Sequence, residues 1–306
     1  MLVETQPELE ALLRELSASG FVKLGGLLNQ DQAVAVGLEV RRWFEEPSVS
    51  WDHYGKWAAG GRYRACLFAG PKRDTALFDL VGKSRLVDEV IETVLSSAVV
   101  RHLLLSALGS GYRIWYSQAR RANPGARPLH MHQDRPAEMT LSILLSDAPS
   151  MAGTTAFLPG SHRWPRVLES SRLLSPHYIK NRLVGATGVP GDAYLFYNAT
   201  WHGRLRSEGA ARTAIFLSFL ARDAFETSRI PPNELLDRLG PSLRRAWSSQ
   251  GVDPALPPVT EDLRRILSSS PSLPALSPWR IALAASFAWQ ALHRAARGIK
   301  EMVTRG

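Results

Sequence analysis

Apolar residues follow a helical period at the start of the chain, a strand-like texture in its middle and a helical texture again near its end. Leu9, Leu12, Leu13 and Leu16 recur every three or four positions, which predicts an amphipathic helix over residues 6–19. Ser19-Gly20 ends that run, and Phe21-Val22-Lys23-Leu24 reads as a short strand. A second helix is predicted from Gln30 to Phe44. Residues 46–73 have no clean period: Trp51, Tyr54, Trp57 and Tyr63 are mixed with Gly60-Gly61 and several bases, the texture of a long ordered loop. Long loops in compact domains tend to be functional, so these aromatics are candidates either for a substrate pocket or for the core.

From Gly111 to Leu220 the chain reads as short strands between Pro/Gly turns. Tyr112–Arg120, Met139–Ser146, Thr154–Leu158, Asp192–Tyr197 and Thr213–Leu220 are the predicted strands, and Asn123-Pro124-Gly125 and Pro190-Gly191-Asp192 are among the turns. That spacing predicts an antiparallel barrel or sandwich. After Arg222 helical texture returns, interrupted by the Pro/Ser-rich connector 268–278. The expected organisation is one mainly β catalytic domain with flanking helices over residues 1–225 and a helical extension over 226–306.

Composition narrows the class. The chain has 306 residues, 45% hydrophobic and 21% charged, which is ordinary for a globular protein and excludes a disordered or fibrous one. Its single cysteine, Cys66, cannot form an internal disulfide, and there is no Cys cluster for zinc or iron–sulfur, so a reducing cytoplasm is the expected compartment. The first residues are acidic and lack the order of a secretory signal. The apolar run Ile281 to Leu292 is shorter than the ~20 residues of a spanning helix. A net charge of +9 and a pI near 10.0 draw anions toward the protein. No zinc-finger spacing, RNP-type strand or Lys/Arg block supports nucleic acid as the partner, so an anionic small molecule is expected.

The chemistry sits in Leu129-His130-Met131-His132-Gln133-Asp134. In an extended chain residues two apart share a face, so His132 and Asp134 can converge on one ion. His202 follows 70 positions later, in Trp201-His202-Gly203. Two imidazoles and one carboxylate leave metal positions open for a co-substrate and O₂, as in non-haem iron(II) oxygenases. His130 lies two before His132, so a His130/His132 pair is an alternative ligand set. His162, in a Pro-Gly-Ser-His turn, reads as a hydrogen-bonded histidine that fixes a loop.

His132-Gln133-Asp134, Leu141 through Asp147, Pro159-Gly160-Ser161-His162, Gly191-Asp192 through Trp201-His202-Gly203, and Arg212 occur in that order. Together they resemble the phytanoyl-CoA dioxygenase family, and Gly20-Phe21-Val22 with Gly26-Leu27-Leu28 resembles its entry strand. The resemblance spans residues 15–220. It implies a double-stranded β-helix, the cupin-like jelly roll, holding Fe(II) on His132, Asp134 and His202, with 2-oxoglutarate and O₂ as co-substrates. It also implies that Arg212 pairs with the distal carboxylate of 2-oxoglutarate, with Gln118 and Thr140 nearby. Arg204 and Arg206 are competing bases, set aside because they lie close to His202 along a strand.

The implied activity is hydroxylation of an unactivated C–H with release of succinate and CO₂. An intact Asp134 speaks against halogenation, in which similar proteins replace the carboxylate with a small residue. A non-catalytic binding protein of the same fold, and a cupin-type isomerase or hydrolase without 2-oxoglutarate, are the readings from other classes. The segment 278–306 is apolar over a broad face and carries five bases against one acid. Two readings stand for it: packing on the barrel or on a second subunit, or peripheral contact with an anionic membrane surface. With the latter, a membrane lipid or the lipopolysaccharide inner sugar acid is the expected substrate.

Overall fold

The computed structural model describes residues 6–45, 51–52, 64–66, 74–78, 80–135, 137–164, 176–221 and 241. The expected helical extension, the 278–306 segment and most of the aromatic-rich loop lie outside the described residues. The first helix, α1 (Gln6–Ser19), buries Leu9, Leu13 and Leu16, the period read from the sequence. It leads into β1 (Phe21–Leu24) and then α2 (Gln30–Glu45). Short strands β2 (Trp51–Asp52) and β3 (Arg64–Cys66) give parts of the expected loop regular structure. Next come β4 (Asp74–Phe78), α3 (Arg85–Ser96) and α4 (Ala98–Leu108), none of which is among the expected elements. A helical stripe at Val87, Val90, Ile91, Val94 and Leu95 was legible in α3, whereas α4 is apolar nearly all round and shows little period.

Eight further strands form the core: β5 (Arg113–Ala122), β6 (Leu129–His132), β7 (Glu138–Leu144), β8 (Thr155–Phe157), β9 (Val184–Gly185), β10 (Ala193–Tyr197), β11 (His202–Arg204) and β12 (Arg212–Leu220). The larger sheet runs β1-β10-β7-β12-β5-β4-β3-β2 and the smaller β6-β11-β8-β9. Every pairing is antiparallel except that of β2 with β3. Because the chain passes repeatedly between the two sheets, this is the expected jelly roll. The five strands expected between residues 111 and 220 are observed with limits within two residues of the expected ones, the usual uncertainty at element ends.

Period-2 alternation gives the larger sheet two unlike faces. Met139, Leu141 and Ile143 of β7, with Ile215, Leu217 and Phe219 of β12, join the apolar cluster that α1 to α4 cover. Thr140, Ser142 and Leu144 of β7, with Ala214 and Phe216 of β12, line a cavity of about 330 Å³ between the two sheets.

Candidate active site

His132 is the last residue of β6 and His202 the first of β11, and the two are direct partners across the smaller sheet. Asp134 lies just beyond β6, where its backbone N–H donates to the carbonyl of Asn198 at 2.8 Å. Its Oδ2 is 3.5 Å from His202 Nε2 and 3.8 Å from His132 Nε2. One ligand atom from each of the three residues falls within 4.8 Å of the others. Among the described residues this is the one such metal-capable group. His130 does not belong to it: the β6–β11 register shifts between His202 and Arg204, so simple alternation fails there and His130 is exposed. Its carbonyl instead receives a hydrogen bond from His132 Nδ1 at 2.9 Å.

The donor set suits a divalent metal. His132 Nδ1 and His202 Nδ1 face the carbonyls of His130 and Thr200 at 2.9 and 2.8 Å. A carbonyl only accepts, so each Nδ1 carries the proton and each Nε2 presents a lone pair to the metal position. Burial holds His132 neutral, with its pKa lowered to about 4, and the neighbouring His202 pushes the same way. Burial alone would raise the Asp134 carboxyl, but the adjoining His202 and His132 side chains and the charge of Arg120 keep it below its ordinary value. A neutral His132 and an ionised Asp134 are protonation states that suit metal binding.

The segments that carry the ligands are tied together. Gln133, between the two ligands on its segment, donates through Nε2 to the carbonyl of Ala199 at 2.6 Å. Ser161 Oγ accepts from the Trp201 N–H at 2.8 Å and donates to the Leu158 carbonyl at 2.6 Å. His162 stacks on Tyr197 at 5.4 Å and lies 3.2 Å from the Ser17 carbonyl, in keeping with a loop-fixing role. Gly203 lets β11 lie against β6, since a Cβ there would come within 2.7 Å of the Leu129 carbonyl oxygen and 2.8 Å of Met131 Sδ.

The cavity runs from the metal position to Arg212. Arg212 opens β12, and its buried Nε has no hydrogen-bond partner. Gly153 makes room for its stem, because a Cβ there would lie 3.1 Å from Arg212 Cγ. Thr140, bonded to Ser218 Oγ at 2.7 Å, and Gln118 also line the cavity. Arg206 is exposed. Arg204 is not remote: it shares the inward face of β11 with His202 and reaches the cavity wall, where its Nη2 is 2.6 Å from Asp74 Oδ1 and donates to the Arg127 carbonyl at 2.9 Å. Arg120 lies 3.5 Å from the other Asp74 oxygen. The sequence reading missed Asp74 and Arg120. Arg120 carried a signal, two positions after Gln118 on one strand face, while Asp74 sits at the edge of the aperiodic region and carried none.

A jelly roll that brings two imidazoles and one carboxylate together at a cavity has the donor set of a mononuclear non-haem metal oxygenase. The family model of phytanoyl-CoA dioxygenase (PhyH) matches residues 16–213, and the chain belongs to that family. It is a dioxygenase-class enzyme, and its His132, Asp134 and His202 group fits an iron ion. Similar proteins include the multifunctional dioxygenases prhA and ausE of Penicillium brasilianum. Each is 24% identical over 221 residues, covering 67% of this chain and 69% of the relative. The epimerase SnoN from nogalamycin biosynthesis, solved with Fe3+, alpha ketoglutarate and nogalamycin RO, has the same fold. Its TM-score is 0.54 at 18% identity, over 85% of this chain and 98% of that one. HygX from Streptomyces hygroscopicus, solved with nickel and 2-oxoglutarate, gives 0.53 at 14% identity over 71% and 88%.

Proposed function

We propose that the protein hydroxylates a C–H bond of an organic, anionic substrate, and that His132, Asp134 and His202 hold the iron. The observation that carries this reading is the convergence of two Nε2 lone pairs and one carboxylate oxygen at the metal-bearing end of a cavity that also contains a buried, unpartnered arginine nitrogen. When bound, iron and 2-oxoglutarate supply the oxidising power: 2-oxoglutarate is decarboxylated to succinate and CO₂ while O₂ provides the transferred oxygen. The chain positions and shields. Arg212 pairs with the distal carboxylate of 2-oxoglutarate, because a planar guanidinium suits a carboxylate and its Nε lacks any other acceptor. Gln118 and Thr140 flank the co-substrate from β5 and β7. The apolar Phe196 and Phe216 rings reduce water access beside these polar groups.

The test is anaerobic loading with Fe(II) and 2-oxoglutarate, then exposure to O₂ with candidate anionic substrates under mass spectrometry. The expected result is stoichiometric succinate and a product heavier by one oxygen atom. A product of unchanged mass with an inverted carbon would instead match the epimerase reading that SnoN's name suggests. Absence of both iron binding and succinate formation would return the chain to the binding-protein reading.

A further inference from the structure

Charge in the cavity is unbalanced once the metal and co-substrate are assigned. Among the described residues, its lining carries three arginines, Arg120, Arg204 and Arg212, against two aspartates, Asp74 and Asp134. A divalent metal is balanced by Asp134 and the metal-bound carboxylate of 2-oxoglutarate. Arg212 is matched by the distal carboxylate. Asp74 and Arg204, each about 95% buried and 2.6 Å apart, are matched to one another. One guanidinium, that of Arg120, is left with only a longer share of Asp74 at 3.5 Å. A positive charge held in a low-dielectric cavity is costly unless an anion joins it.

The geometry gives that anion a place. Arg120 faces inward from β5, its guanidinium 5.9 Å from the Phe216 ring, and its charge acts on both His132 and Asp134. Its side chain keeps 22% exposure whereas Arg204 is sealed at 7%, so an incoming ligand meets Arg120 first. Behind it, Arg204 Nη2 is held by Asp74 Oδ1 and the Arg127 carbonyl, which fixes the wall on which Arg120 rests.

We propose that Arg120, seated by Asp74 and Arg204, is the anchor for a carboxylate on the organic substrate, which makes the substrate a monoanionic carboxylic acid. This rests on the function proposed above and adds the chemical class of its substrate. One unmatched positive charge fits a carboxylate, while a dianionic phosphate would leave excess negative charge beside the metal's own carboxylates. Arg120 thereby sets which C–H bond faces the metal.

Equilibrium dialysis tests it, using anaerobic enzyme loaded with Fe(II) and 2-oxoglutarate and labelled hexanoate as probe. We expect saturable hexanoate binding, with hexanamide and hexyl phosphate at least about tenfold weaker. Arg120→Gln should weaken hexanoate at least about tenfold more than it weakens 2-oxoglutarate, and Arg212→Gln should show the opposite ratio. Arg120→Lys, which keeps the charge, should retain more hexanoate affinity than Arg120→Gln and guards against a folding defect. Equal hexanoate affinity in wild type and both Arg120 variants, or no saturable hexanoate binding to loaded wild type, overturns the anchor. A loss of 2-oxoglutarate as large as that of hexanoate in Arg120→Gln also overturns it, by moving Arg120 to the co-substrate. Failure of the wild type to bind 2-oxoglutarate at all would instead break the underlying functional reading.

Discussion

The two faces of the larger sheet are both buried, yet they are built on opposite terms. All seven residues of β7 are buried, but Met139, Leu141 and Ile143 meet helices while Thr140, Ser142 and Leu144 meet a cavity. The outer face is closed by apolar contact within the chain. The inner face, flanked by arginines and the His132, Asp134 and His202 group, holds polar side chains that line the cavity. An antiparallel sheet usually leaves one face to water. Here the second face is kept from water by the smaller sheet, and the same strands therefore serve stability on one side and chemistry on the other.

Breaking the inner face at the metal should give the largest effect. His132→Ala or Asp134→Ala removes one of three ligands, and we expect loss of iron binding and of succinate formation while the far-ultraviolet dichroism is retained. Full turnover by both variants would show that the triad does not hold the metal. The outer face should respond in the opposite sense: Leu217→Ala leaves a cavity against the helices and should cost about 2–5 kcal/mol in denaturant unfolding. Turnover per folded molecule should persist, and a selective loss of turnover without destabilisation would erase the distinction between the faces.

Arg212→Ala is a sharper cut on the inner face. It should raise the KM for 2-oxoglutarate by roughly 10–100-fold through loss of a charge-assisted pair, with iron affinity little changed. An unaltered KM would shift the distal carboxylate to Arg204, whose position in the same cavity makes it the next candidate.

A further expected effect, read as a slope against pH, concerns Glu138 at the start of β7. Burial, then the charge of Asp134, pushes its carboxyl up to about 8 from an ordinary 4.5. In metal-free protein the folded state keeps a proton that the unfolded chain releases above about pH 4.5. This contribution to stability is full below that pH and is lost as pH rises toward about 8. Glu138→Gln should flatten the decline of stability over that window by at most about 1.4 kcal/mol per pH unit. Parallel pH profiles for wild type and variant would show that Glu138 titrates normally.

Much of the site was readable because its residues sit at fixed offsets on strands. His132 and Asp134 lie two apart, His202 and Arg212 ten apart, and the intervening Pro-Gly-Ser-His turn is a local signal. Arg204 was misjudged for reach by counting distance along the chain, when the same two-residue period that joins His132 to Asp134 also turns Arg204 inward beside His202. His130 shows the converse, since a register shift in β6 breaks the alternation that would have paired it with His132.

The sequence by itself determined the strand texture and the types and order of the candidate ligands, because side-chain period and metal-donor chemistry are local properties. Only the tertiary structure decided that β6 and β11 lie side by side so that His132 and His202 meet. It alone decided that Asp74, distant in sequence from Arg120 and Arg204, sits between them. Such contacts depend on which strands pair across the two sheets, and no local pattern of apolar and polar residues encodes that pairing.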